Sequence, residues 1–250
     1  MSHGARTSGA KRGACVLALL TACTLHSAPL TIAVVGDSTV AEYKQDESMR
    51  GWGQQLGEFL SPEVKVLNLA LCGASTRTFL STARWQEALD ARPDVVFIQF
   101  GHNDSHAADK PESTRADGDY AQNLRRFVDE ARRAGVTVIL VTPMHRRLFD
   151  GQGNPSKELE SYVNSMTAVA SELSVPLVDL YSSSGLVLGK LGDSGSAYLY
   201  APGDRTHFSE AGARLLASMV ANTARDYDPR LRAAIRTDKL DAYAALQPVP

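Results

Sequence analysis

The sequence predicts an α/β fold, a three-layer α/β/α sandwich around a five-stranded parallel sheet in the order 2-1-3-4-5. Three observations carry this. Five short β-rich runs, at residues 31–35, 64–69, 95–100, 136–141 and 176–180, alternate with helical segments. Most of these runs are continuously apolar, as strands covered on both faces are. No repeat, long linker or second block of different composition interrupts the alternation.

Each element has its own signal. Residues 53–60 are helical in pattern and separate the first two strands, and residues 81–91 precede the third. The segment 119–134 sets Leu124, Phe127, Val128 and Ala131 on one face, with Gly135 where a helix C-cap belongs. Residues 157–173 lead into the fifth strand, and a last helix from about Ser209 carries Leu215, Leu216, Met219 and Val220 at helical spacing. Such a chain closes as an open sheet with right-handed crossovers, most often in the flavodoxin-like order. The Gly-, Ser- and Tyr-rich stretch 182–201 reads as a helix and loop bordering a cleft, and the polar, Ala-rich tail beyond Asp226 as partly helical.

At 250 residues the chain suits one domain with a short tail, and its 44% apolar and 22% charged content is that of a soluble globular protein. The start differs from the rest. Arg6, Lys11 and Arg12 precede an apolar run at 15–25 and the small residues Ser27 and Ala28, and no acidic residue appears before Asp37. That is the layout of a secretory leader, too short to span a bilayer. The expected division is therefore a signal peptide at 1–28, a catalytic-sized domain at 29–226 and a tail at 227–250. Two processing routes stay open: cleavage after Ala28, or lipidation of Cys23 within Leu20-Thr21-Ala22-Cys23, which resembles a bacterial lipobox. The product is secreted or periplasmic, and it meets a membrane only through a lipid on Cys23.

Without the leader the formal net charge is −5. A mildly acidic body with no basic runs argues against nucleic acid as partner, although a local basic cleft can still hold an anionic polysaccharide. Cys72 is left alone, so no internal disulfide is expected, and it reads as a small core filler. The spacings of metal sites are absent, and no metal or other cofactor is expected.

Ligands of such sheets bind beyond the carboxyl ends of the strands, near the reversal of strand order. Gly36-Asp37-Ser38-Thr39 follows the first strand, Leu71-Cys72-Gly73-Ala74-Ser75 the second, and Gly101-His102-Asn103-Asp104 the third. In the order 2-1-3, Gly73, Ser38 and Asn103 meet at one place. A hydroxyl, a glycine amide and an asparagine amide are what acyl transfer needs there: a nucleophile and donors for the oxyanion. The base and its orienter appear in Asp204-Arg205-Thr206-His207, where an Asp three residues before a His presents a carboxylate to Nδ1 and leaves Nε2 for Ser38.

Plainer readings exist for each. Ser38 with Thr39 and Glu42 fits a helix capping box, Gly73 a positive-φ turn and Asn103 a loop cap. Asp37 reads as a tie for its own loop. His102 and His106 lack a carboxylate at the Asp-x-x-His spacing and stay outside the triad. After the fourth strand, Arg146 and Arg147 either bind the carboxylates of an anionic sugar or form a solvated basic loop. Tyr198 and Tyr200 either stack on sugar rings or pack the loop.

Taken together, Gly36-Asp37-Ser38, Gly73, Gly101-His102-Asn103-Asp104 and Asp204-Arg205-Thr206-His207 resemble, in order, the four blocks of the SGNH hydrolases (a GDS serine block, a glycine block, GxND and DxxH). The likeness spans nearly all the chain from the leader to about Asp226. Gly36-Asp37-Ser38-Thr39-Val40, Asn68-Leu69-Ala70, Gly-His-Asn-Asp and Asp204-Arg205-Thr206-His207-Phe208-Ser209 are similar to the rhamnogalacturonan acetylesterase branch. The resemblance implies a cofactor-free, monomeric serine esterase that removes acetyl groups from pectic polysaccharide. Ser38 would be its nucleophile, His207 its base, Asp204 the orienter, and Gly73 and Asn103 the oxyanion donors. One departure bears on the sugar: Ala74 stands where that branch has an arginine, with Arg77 further on. The alternatives are the same machinery acting on other acyl esters, thioesters or acetylated xylan, and a non-catalytic carbohydrate-binding protein. A nucleotide binder is disfavoured, since the first loop lacks a glycine-rich phosphate cradle.

Overall fold

The computed structural model describes residues 29–246 together with Met1, His3 and Gly4, so the leader segment with Cys23 and Ala28 lies outside the described residues. The strands are β1 (Thr31–Gly36), β2 (Lys65–Asn68), β3 (Val95–Gln99), β4 (Thr137–Val141) and β5 (Leu177–Val178). They form one sheet in the order β2-β1-β3-β4-β5, and every pairing is parallel. The predicted order holds.

Alternation along the strands builds two cores. Ile32, Val34, Val95, Phe97, Ile139 and Val141 face one side, and Ala33, Val35, Val96, Ile98, Val138 and Leu140 face the other. The first face is covered by α1 (Trp52–Gln55), α6 (Leu180–Ser196) and α7 (Glu210–Ala224). The second carries α2 (Thr76–Leu80), α3 (Arg84–Asp90), α4 (Ala121–Arg133) and α5 (Glu160–Leu173). Because both faces are dry, the strands carry apolar side chains at consecutive positions, which is why periodicity alone found them.

Three helices differ from their sequence expectation for local reasons. The predicted 53–60 helix is a single α-turn continued by a 3₁₀ turn at Leu56–Phe59. The predicted 81–91 helix is two: α2 starts on a reciprocal capping box between Ser75 and Thr78, and the Ser81 and Thr82 hydroxyls bond back to the carbonyls of Thr78 and Phe79. Hydroxyls that compete for backbone groups break a helix there. In α6, Gly192 takes φ +66 and kinks the helix inside the Gly/Ser-rich stretch.

The tail is a structural part of this layer. Asp228 caps α8 (Pro229–Ala234), with the proline in its first turn, and α9 (Thr237–Leu240) follows. The Ser61 amide donates to the Ala234 carbonyl and the Arg236 amide to that of Phe59. Leu231, Ile235 and Leu240 are buried with Phe59 and Leu60. Leu231→Ala is therefore expected to cost about 2–4 kcal/mol, as fully buried leucines do. Denaturant unfolding measures it, and a loss below about 0.5 kcal/mol would mean the tail is not part of the folded core.

Candidate active site

β1 ends in Gly36, where a Cβ would meet Val40 Cγ2 at 2.6 Å and the Gln99 carbonyl at 2.7 Å, so only glycine lets the next turn lie against β3. The amides of Val40 and Ala41 both donate to the Asp37 carbonyl at 3.1 Å, closing one turn around Ser38. No helix follows before Trp52, so the capping-box role considered for Ser38 and Glu42 is not realised.

Beneath the turn lies a buried polar chain. Trp52 Nε1 donates to Gln99 Oε1 at 2.6 Å, Gln99 Nε2 to Thr39 Oγ1 at 2.8 Å, and Thr39 Oγ1 to Asp37 Oδ1 at 2.7 Å. The Thr39 amide donates to the same Oδ1 at 2.9 Å, so Asp37 ties its own loop as expected. Burial alone would raise the Asp37 carboxyl, but the neighbouring His102 and the two Thr39 donors outweigh it and hold it below its ordinary value.

Above the turn, Ser38 Oγ lies 3.0 Å from His207 Nε2. His207 Nδ1 lies 2.8 Å from Asp204 Oδ2. The amides of Thr206 and His207 donate to Asp204 Oδ1 at 2.6 and 2.9 Å. Burial pushes the Asp204 carboxyl up, yet these backbone donors and the ring bring it down to about 2. The carboxylate is thus fixed on both oxygens, and the imidazole presents Nε2 to the serine. All three side chains are only partly buried, which leaves the serine open to solvent.

The loop that carries Asp204 and His207 is clamped from the β4 side. The Arg147 amide donates to the Arg205 carbonyl and Arg205 Nη1 to the Arg147 carbonyl, each at 2.7 Å. Asp193 on α6 accepts from both guanidinium groups. Arg147 also lies over the Tyr200 ring, and Arg146 Nη2 donates to the His102 carbonyl at 2.9 Å. Side-chain exposure is 17% for Arg146 and 13% for Arg147, so the loop is neither solvated nor presented as a free anion fork. Tyr200 is buried against Phe208, whereas Tyr198 is exposed.

Gly73 and Asn103 lie on the loops that follow β2 and β3. Gly73 has φ +76 on an exposed turn, a conformation glycine adopts without strain. Asn103 Nδ2 donates one hydrogen to the Ala74 carbonyl at 2.9 Å, which fixes the carboxamide and leaves its second N–H uncommitted there. Asp104 locks the two loops together. It accepts from the Thr76 amide at 3.1 Å, from Thr76 Oγ1 at 2.5 Å and from Thr114 Oγ1 at 2.8 Å. Burial dominates over these donors and raises its carboxyl to about 6.

Several placements were not legible in the sequence. Cys72 is exposed rather than a core filler, with its thiol 3.6 Å from the Tyr43 hydroxyl, because Gly73 turns the chain outward at that point. Tyr43, unnoticed in the sequence, donates to the Ser38 carbonyl at 2.8 Å. Both histidines set aside for want of a nearby carboxylate have one in space: His106 meets Glu112 at 2.6 Å and His102 faces Asp37 at 3.5 Å. Among the described residues no cluster of His, Cys, Asp and Glu is arranged to hold a metal ion.

A parallel 2-1-3-4-5 sheet that carries a serine, an imidazole and a carboxylate in hydrogen-bond sequence beyond its strand ends belongs to the esterase class of α/β enzymes. The chain is a member of the GDSL-like lipase/acylhydrolase family, whose model matches residues 34–215. It is 37% identical over 209 residues to the rhamnogalacturonan acetylesterase RhgT of Bacillus subtilis, covering 77% of this chain and 88% of that one. Among solved structures, the Bacillus subtilis protein YxiM superposes with a TM-score of 0.71 at 28% identity, over 79% of this chain and 56% of that longer one. The acetylxylan esterase Axe2 of Geobacillus stearothermophilus gives 0.62 at 25% identity, over 78% and 93%.

The Asp104 knot supplies a test of the site's frame. Asp104→Ala leaves the Thr76 amide and hydroxyl and the Thr114 hydroxyl without their buried acceptor, at an expected cost of about 2–4 kcal/mol. Equilibrium unfolding measures it, and a change under about 1 kcal/mol would show that the loops hold without the knot.

Proposed function

We propose that the chain is a carbohydrate acetylesterase, acting through an acyl-enzyme on O-acetyl groups of pectic polysaccharide, with rhamnogalacturonan as its substrate. The observation that carries the chemistry is the hydrogen-bonded series Ser38, His207, Asp204, at 3.0 and 2.8 Å. The sugar rests on likeness to RhgT, which exceeds that to the acetylxylan esterase.

In this reading His207 Nε2 takes the proton of Ser38 as Oγ attacks the acetyl carbonyl. The oxyanion is received by the amides of Ser38 and Gly73 and by the free N–H of Asn103. The sugar alcohol leaves with the proton from His207, and water repeats the sequence to release acetate. Asp204 keeps the ring in the tautomer that accepts at Nε2 and stabilises the imidazolium as it forms. No cofactor enters. Arg147 would serve by holding the loop of Asp204 and His207 rather than by touching sugar, and Arg146 by bracing the His102 carbonyl. The enzyme acts as an exported monomer with no nucleic-acid partner, and the segment 1–28 serves as its leader or, through Cys23, its lipid anchor. Among the described residues no helix is long and apolar enough to cross a membrane.

Acetate release from acetylated rhamnogalacturonan, with acetylated xylan alongside, tests the reading. Ser38→Ala is expected to lose activity on the order of 10⁴-fold or more. Undiminished activity in that variant would sink the nucleophile, and release from xylan alone would sink the pectic substrate. Asp204→Asn is expected to lower kcat on the order of 10³- to 10⁴-fold, because the amide favours the wrong ring tautomer. Because Asp204 ionises only near pH 2, it stays charged throughout the working range. An Asp204→Asn variant whose kcat is undiminished would overturn that role.

A further inference from the structure

Asp37 and His102 form a second carboxylate–imidazole couple beneath the nucleophile. Asp37 has no exposed surface and His102 is 2% exposed. His102 Nε2 lies 3.0 Å from the Met144 carbonyl, which can only accept, so Nε2 carries a hydrogen. Its other nitrogen, Nδ1, points at Asp37 Oδ2 across 3.5 Å. Neither atom has another hydrogen-bond partner. The remaining donors are already used: Thr39 gives both its amide and its hydroxyl hydrogen to Oδ1, and Gln99 gives to Thr39.

The hydrogen between Nδ1 and Oδ2 can be absent, on the carboxyl or on the ring, and a carboxyl held below its ordinary value does not carry it. With a bare Nδ1, two lone pairs would face each other in a dry site, and the gap is too narrow to admit a water between them. With a hydrogen on Nδ1, each atom satisfies the other and the buried carboxylate gains a counter-charge. We propose that His102 carries hydrogens on both ring nitrogens, and that this buried imidazolium–carboxylate pair positions Ser38 and neutralises Asp37 beside it.

The pair rests on the esterase reading for its consequence, though not for its existence. An unbalanced anion one residue from Ser38 opposes the negative charge that develops on the acyl oxygen, and opposition inside a dry floor is poorly screened. Paired, Asp37 keeps its hold on the turn without that penalty. The depressed carboxyl of Asp37 agrees with a cationic neighbour. The other ionisable groups around the couple are Asp104 on the same loop, His145 and Arg146 on the loop after β4, and Tyr43 and Tyr120 across it. Of these, only Arg146 touches the His102 residue, through its backbone carbonyl. His102 is thus a positioning residue, not part of the acyl chemistry.

Nitrogen-15 spectra of the histidine rings at pH 7, on the inactive Ser38→Ala chain, read the proposal without reference to activity. His102 should show two proton-bearing nitrogens, and Asp37→Asn, assigned by the signal it shifts, should convert Nδ1 to an acceptor from the carboxamide. A bare Nδ1 with Asp37 intact overturns the proposal, whatever the enzyme hydrolyses. In kinetics, His102→Gln should lower kcat by about 10- to 100-fold with KM within about twofold. Adding Asp37→Asn to it should recover part of the loss, because a carboxamide needs no counter-charge. If His102→Gln does not fold, the spectra of the unaltered and Asp37→Asn rings still decide. Absence of rescue in folded variants would reduce His102 to packing, and loss of all acetate release with intact ring signals would count against the esterase reading alone.

Discussion

Asp37 has no exposed surface and stands one residue before Ser38, so its charge must be satisfied by protein groups alone. Leaving a carboxylate dry and unpaired is prohibitive, which makes its partners obligatory. Trp52 from α1, Gln99 from the end of β3 and Thr39 from the turn itself supply a chain of donors directed inward to Oδ1. Bonds aligned in one direction polarise one another and tighten. The carboxylate therefore fixes where β1, β3 and α1 sit relative to the turn that carries Ser38. Gly36 completes this by permitting the close approach of the turn to β3.

The distance along the chain between Ser38 and His207 is closed by topology. A parallel sheet delivers every strand end to the same edge, so residues following β1, β2, β3 and β4 converge there whatever their separation in sequence. The imidazole arrives differently, on the loop before α7. That loop has no strand of its own and is held by its neighbours: by the Arg147 amide on the Arg205 carbonyl and the Arg205 guanidinium on the Arg147 carbonyl, by Asp193 between their guanidinium groups, and by Phe208 packed on Tyr200. Surface ion pairs are worth little singly. Here the geometry matters more than the energy, since the clamp joins the β4 loop to the loop carrying His207.

Legibility in the sequence follows from which forces are local. The five strands were readable because both faces of the sheet are buried, which leaves an apolar run at each. Ser38, Asp204 and His207 were readable because their spacing obeys loop and turn geometry within three or four residues. What escaped were partnerships across the fold. His102 and His106 looked carboxylate-free because Asp37 and Glu112 are not at triad spacing, and Arg146 and Arg147 looked like a free basic loop because their acceptors lie as much as 46 residues away. The tail looked idle because Leu231, Ile235 and Leu240 are few and widely spaced among polar residues. Cys72 shows the limit from the other side: a small thiol beside glycine is usually buried, but the positive φ of Gly73 turns this one into solvent.

The site divides into a dry floor and a wet rim. Ser38, His207 and Asp204 are all partly exposed, so the rim lies open to solvent. An open site cannot rely on expelling water to sharpen its electrostatics. It must hold its donors in place before the substrate arrives, because flexible groups in contact with solvent would have to reorganise as charge develops. Both halves of the rim meet that requirement by being rooted below. Asp37 and its inward chain root Ser38, and the Asp104 knot between Thr76 and Thr114 roots the loops bearing Gly73 and Asn103. Rigidity under the surface thus takes the place that enclosure has in buried acyl-transfer sites.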